Sequence, residues 1–219
     1  MIVITIDQRD SRRREDEVPA LITSLAGVPT VRPFQRTAGD EVQAVLDDAG
    51  AAIGVALSLG AGGRWSVGLG VGRVHLPLPA ETRAGSGEAF EAARVAVERA
   101  KTLSGRIGVV VPSDPAEAAR LQAELSLLSL TLARRTPQQA EAAALRSAGS
   151  TQAQIAERLG ISQQAVSSRL AAGQVEEAAA LVESVVPALE RTLTALAAGP
   201  AEKRDRLGEA SERGVGGQS

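Results

Sequence analysis

The run from Thr151 to Leu170, TQAQIAERLGISQQAVSSRL, gathers amides, hydroxyls and guanidinium groups at positions that two short helices would turn outward. Its apolar members Ile155, Leu159, Ile161, Val166 and Leu170 fall at spacings that give both helices one shared core. Ala156 is small where the helices would touch, and Gly160 stands in the turn, where a left-handed backbone favours a residue without a Cβ. Ser162 is placed to cap the second helix. That leaves Gln163, Gln164, Ser167, Ser168 and Arg169 on the outer side. Amides pair bidentately with adenine and guanidinium groups with guanine, so this face has the chemistry to read base edges. Thr151, Gln152 and Arg158 suit phosphate contacts. A helical hairpin used for protein contact shares the apolar spacing; the acid-free outer face favours the helix-turn-helix reading. The expected partner is double-stranded DNA, bound by a homodimer on two half-sites about one helical turn apart.

The remaining chain must hold and orient this unit. Ile2 to Ile6 is a β-branched run that suits a buried first strand, and Ser11 to Leu25 reads as a helix disturbed by Pro19. Val31 to Gln35 and Glu41 to Leu46 look extended, with Thr37 to Asp40 as the turn of a hairpin containing Gly39. Ala49 to Leu59 reads as a helix, Arg64 to Pro77 as an alternating strand, Glu88 to Lys101 as an amphipathic helix, and Arg106 to Val111 as a last strand. The order β-α-β-β-α-β-α-β predicts an α+β sandwich with helices on one face of a mainly antiparallel sheet. Asp114-Pro115 and Thr136-Pro137 both pair a capping side chain with proline at the first helical position. Between them Leu121, Leu125, Leu128 and Leu132 form a seam that fits packing within the chain as well as a dimer contact. Val175 to Ala197 carries another apolar stripe, bent at Pro187.

The expected division is thus residues 1–112 as a first domain, 113–135 as a linker helix, 136–198 as the helix-turn-helix domain with its C-terminal packing helix, and 199–219 as a disordered tail.

Several segments of the first domain form an ordered series: Asp7 to Arg12 after the first strand, Gly39-Asp40-Glu41 in the hairpin turn, Gly68 to Gly72, and Gly87 to Arg94. In this series the first half of the chain resembles the SatD family and, more distantly, the catalytic domain of class III nucleotide cyclases. The resemblance implies a ferredoxin-like or cyclase-like α/β sandwich followed by the all-α helix-turn-helix domain. It also implies that Asp7 and Asp40 hold Mg2+ against a nucleotide, that Arg36 stands where the cyclases recognise the base, and that Arg94 stands where they neutralise transition-state charge. Phe90 occupies the place of the catalytic asparagine, which points to a nucleotide-sensing domain rather than an active enzyme. The alternative is a metal-dependent nucleotide cyclase or related phosphoryl-transfer enzyme with a DNA-binding appendix.

Read without the resemblance, Asp7 and Asp40 also suit turn and strand-end positions, and Arg94 suits the exposed side of an amphipathic helix. Ser11, Arg12, Arg13 and Arg14 fit either an anion-binding helix start or a solvated charged face. Gly68, Gly70 and Gly72 permit close helix-on-strand approach better than they bind phosphate, since no helix N-terminus follows them directly.

Composition narrows the classes further. The 219 residues include no cysteine and a single histidine, which removes disulfides, thiolate metal sites and His-cluster metal sites. Neither a secretory leader nor a window of about 20 uncharged apolar residues is present, so a cytoplasmic protein without a membrane span is expected. The net charge of -2 argues against general nucleic-acid affinity and leaves room for a compact basic patch.

Overall fold

The structure is a computed structural model and describes residues 1–199. Apart from Gly199, the expected disordered tail lies outside the described residues. Within them the chain is a mixed α+β protein with a five-stranded sheet and eight α-helices.

Strand β1 (Ile2–Gln8) runs through the middle of the sheet because both of its faces can be buried. Ile2, Ile4 and Ile6 enter one core, while Val3 enters another on the opposite face. β2 (Arg32–Arg36) and β3 (Glu41–Leu46) form the expected hairpin. Gly39 at φ 58 supplies the left-handed residue of its loop, which Thr37 N–H closes onto the carbonyl of Glu41. β4 (Trp65–Val71) pairs antiparallel with the other side of β1, and β5 (Ile107–Val110) pairs parallel with β4. The order across the sheet is β2-β3-β1-β4-β5.

Helices cover both faces, not one as the pattern predicted. α2 (Ala49–Ala61) and α4 (Pro115–Ala133) lie over the face bearing Ile4, Leu46 and Leu69. α3 (Glu88–Thr102) lies over the other face, where β4 presents glycine. A Cβ on Gly70 would stand 2.1 Å from the backbone nitrogen of Ala93, and one on Gly68 would stand 2.2 Å from that of Val97. The alternation of Val67, Leu69 and Val71 with these glycines therefore marks two buried faces, one taking side chains and the other taking a helix backbone.

The single helix expected from Ser11 to Leu25 is broken. A short 3-10 turn spans Ser11–Arg13, and α1 (Val18–Ser24) begins only afterwards, with Pro19 inside its first turn as a starter. Buried Gln8 holds the intervening chain extended: its amide donates to the carbonyl of Glu15 at 2.7 Å and accepts from Glu17 N–H at 3.1 Å. The strand expected to reach Pro77 stops at Val71. Beyond it the chain is tied across to β2, with Arg32 donating to the carbonyls of Pro79 and Leu78, and the Thr82 hydroxyl donating to that of Pro33.

The leucine seam packs within the chain. Leu121, Leu125 and Leu128 of α4 are buried in the same core as Ile4 and Leu69. The three short helices α5 (Pro137–Ser147), α6 (Gln152–Leu159) and α7 (Gln163–Ala172) close around Ala142, Ile155, Val166 and Leu170. α8 (Val175–Ala198) runs unbroken through Pro187. Val175 at its start belongs to the three-helix core, whereas Val185, Ala188 and Leu189 join the sheet core beside α4. The stretches expected to be a linker and a packing helix of the second domain thus both bury apolar side chains against the sheet unit.

Candidate functional site

Two regions carry polar side chains in an arrangement that packing alone does not require. The first lies where β1 ends, beside the tip of the β2–β3 hairpin and the C-terminal end of α3. A concavity of about 660 Å³ opens there, large enough for a nucleotide-sized ligand. Its wall includes Asp7, Ser11 and Asp40 from the expected set, together with Arg9, Asp10, Arg13, Ser66, Lys101 and Arg106. A neighbouring hollow shares Gln8, Ser11 and Asp40 and adds Arg36. The fold therefore brings Asp7, Ser11, Asp40 and Arg36 to one side of the molecule.

Arg94 is not brought there. It is exposed on α3, seven residues before Lys101, which is two helical turns or about 10 Å along the axis. Phe90 is buried against Val3, Val45 and Ala93 and faces the core rather than the concavity. Arg12 lies in the 3-10 turn that follows β1. Arg36 is itself engaged, forming an ion pair with Asp16 across the mouth of the second hollow.

The residue that sequence reasoning missed is Lys101. Its Nζ stands 3.1 Å from Asp7 Oδ2 and 2.7 Å from Glu98 Oε1. Burial pushes the Asp7 carboxyl above its ordinary value, and Asp40 adds to that, while the hydrogen bond and charge of Lys101 oppose it. The Lys101 ammonium is held above its ordinary value: burial works against the charge, but the hydrogen bonds it donates to Glu98 and Asp7, with their negative charges, outweigh it. Arg106 fastens this end of α3, with Nη1 donating to the Lys101 carbonyl at 2.6 Å. Burial lowers the Arg106 guanidinium, and the like charge of Arg9 lowers it further.

Asp7 and Asp40 are the two carboxylates that the resemblance assigns to Mg2+; both line the concavity, and Lys101 competes for Asp7. One of the two Asp7 carboxylate oxygens, Oδ2, already faces the Lys101 ammonium. Among the described residues, no group of three or more His, Cys, Asp or Glu side chains is placed to hold a metal.

The second region is the outer side of α6 and α7. Gly160 adopts φ 64 and ψ 35, the left-handed turn that its lack of a Cβ permits. Thr151 and Gln154 form a reciprocal cap on α6, and Ser162 Oγ accepts from Ala165 N–H at 3.2 Å to start α7. Gln152, Arg158, Gln163, Gln164, Ser167 and Ser168 are exposed, Thr151 and Ser162 are exposed while capping, and Arg169 is half-buried. The amides and hydroxyls of α7 thus form one outward row without a carboxylate, able both to donate and to accept.

Among the described residues, no helix is long and apolar enough to cross a membrane. Comparison of the chain with protein-family models, with curated proteins and with solved structures finds no match in any of the three.

Proposed function

We propose that this chain is a sequence-specific DNA-binding transcriptional regulator, in which α7 reads the major groove and the N-terminal sheet unit binds a nucleotide. The observation that carries the reading is the outward row of α7. Gln163, Gln164, Ser167 and Ser168 stand exposed on a helix whose other side is locked into the α5–α6 core by Val166 and Leu170. Such a helix presents base-reading groups from a rigid support, and Thr151, Gln152 and Arg158 flank it for phosphates.

The first 112 residues are proposed as a cyclase-like, SatD-like sensing domain, and residues 136–198 as the reading head. In support, Asp7, Ser11, Arg36 and Asp40 gather around adjoining concavities at one end of the sheet. Buried Phe90 and outlying Arg94 leave this end without the polar groups that the resemblance associates with catalysis, which favours sensing over turnover. A homodimer would place two heads on a pseudo-palindromic site. α4 and α8, packed together and onto the sheet, form a stiff path by which ligand binding would change the spacing of those heads.

Selection of duplexes from a random-sequence pool by the purified full chain tests the reading. The expected result is a two-fold symmetric motif whose recovery changes when nucleotide is added. Uniform retention of all sequences would overturn it.

A further inference from the structure

The resemblance calls for a metal at Asp7, yet this chain has placed its own cation there. We propose that the concavity beside Asp7 is a metal-independent site for a phosphate or polyphosphate group, with the Lys101 ammonium supplying the positive charge that a divalent ion would otherwise bring. The inference rests on the nucleotide reading of the same concavity and narrows it to one electrostatic design.

Three observations carry it. Lys101 reaches Asp7 Oδ2 at 3.1 Å from the last turn of α3, so a divalent ion would have to displace it or lie against a like charge. The wall carries four cations, Arg9, Arg13, Lys101 and Arg106, against the three carboxylates Asp7, Asp10 and Asp40, with Glu98 just outside it also paired to Lys101. Arg9 and Arg106 are close enough to repel each other, which the Asp10 carboxylate offsets in part, and neither forms a salt bridge among the described residues. Their guanidinium groups instead donate to the carbonyls of Gly63 and Lys101, which holds both at the rim. Clustered cations of this kind are relieved by an oxyanion between them.

The second line of support is Ser66. It sits opposite Asp7 in the β1–β4 register, it is wholly buried, and its hydroxyl has no hydrogen-bond partner among the described residues. An orphaned buried hydroxyl just behind the wall of this concavity carries a desolvation cost, which a small rotation toward an oxyanion would relieve.

Calorimetric titration of the full chain with ATP and with inorganic triphosphate, each in excess EDTA and in millimolar Mg2+, tests the design. The wild type is expected to bind in EDTA within about twofold of its affinity in Mg2+, whereas Lys101→Met should weaken binding in EDTA by about tenfold or more. Lys101→Arg keeps the charge and should retain metal-free binding. Binding by the wild type only in Mg2+ would overturn the inference and leave the nucleotide reading standing. Metal-free binding that ignores Lys101→Met would also overturn it. Binding of triphosphate without ATP would support the oxyanion site while removing the nucleotide reading. No binding of either ligand in either buffer would remove both.

Discussion

The guanidinium of Arg135 donates from Nε to the carbonyl oxygen of Gly173 at 2.7 Å, joining the end of α4 to the end of α7. A second bond from Nη2 reaches the carbonyl of Gln174 at 3.3 Å, where the backbone turns left-handed before α8. Burial holds this guanidinium below its ordinary value, so the site keeps a charge at some expense. One side chain thereby fastens the three-helix unit to the pair of helices packed on the sheet.

Arg135→Ala should therefore loosen the attachment of the three-helix unit without dissolving either core. Charge-assisted bonds of this type contribute about 1.5–3 kcal/mol, and partial exposure places the loss toward the lower end. The check is amide hydrogen exchange: the amides of Gly173 to Ala178 should exchange faster while those of β1 stay protected. Equal protection in the variant would show that Arg135 carries none of the attachment.

On α7, Gln164→Ala and Arg169→Ala should each weaken binding to the selected duplex by about 1–3 kcal/mol and relax preference at one base position. Arg158→Ala, on α6, should instead weaken all duplexes alike and flatten the salt dependence. Fluorescence anisotropy at several salt concentrations separates the two behaviours. If Gln164→Ala weakened every sequence equally, its assignment to base edges would fail.

Close approach of α3 to the sheet gives a prediction of stability alone. Gly70→Ala would set a Cβ 2.1 Å from the nitrogen of Ala93 and 2.3 Å from the carbonyl oxygen of Ala89, both backbone atoms that cannot step aside. Overpacking of this kind costs about 1–3 kcal/mol or more. A clear drop in the urea midpoint is expected, whereas Gly54→Ala should leave the midpoint unchanged or raise it, because nothing lies within 4 Å of the added carbon and the helix gains propensity.

How far the sequence reveals these features follows from the range of the interaction that makes each one. Gly160, Ser162 and the Thr37–Asp40 turn act on their immediate neighbours, and each stands in the structure where local rules put it. Gln8 broke the expected helix from outside it, through bonds to residues seven and nine positions away. Lys101 is the clearest case. It lies on the same face of α3 as Arg94, since seven residues are two turns, so the face was legible. The level along the helix was not, because it depends on how α3 seats on Gly68, Gly70 and Gly108, a packing fact that no local spacing encodes. A signal was present nonetheless: Lys101 stands four residues after Val97 and eight after Ala93, both buried, so it continues the buried line of its helix.

The raised pKa of Asp7 yields a prediction with a definite sign. Burial makes its ionised form less favourable in the folded chain than in the unfolded one, and Lys101 offsets this only in part. A carboxyl whose folded pKa is raised contributes stability that is fully present below its ordinary value of 3.8 and is lost as pH rises through the raised value. At neutral pH that contribution is gone and the ionised group is carried at a net cost. Asp7→Asn should accordingly melt higher than the wild type at pH 7, and the gap should close as pH falls toward the carboxylate range. In Lys101→Met the offset is removed, so the Asp7 carboxyl should titrate higher still, which its carboxyl carbon shift in NMR would register. A melting point for Asp7→Asn below that of the wild type at pH 7 would mean that the Lys101 contact outweighs burial at Asp7.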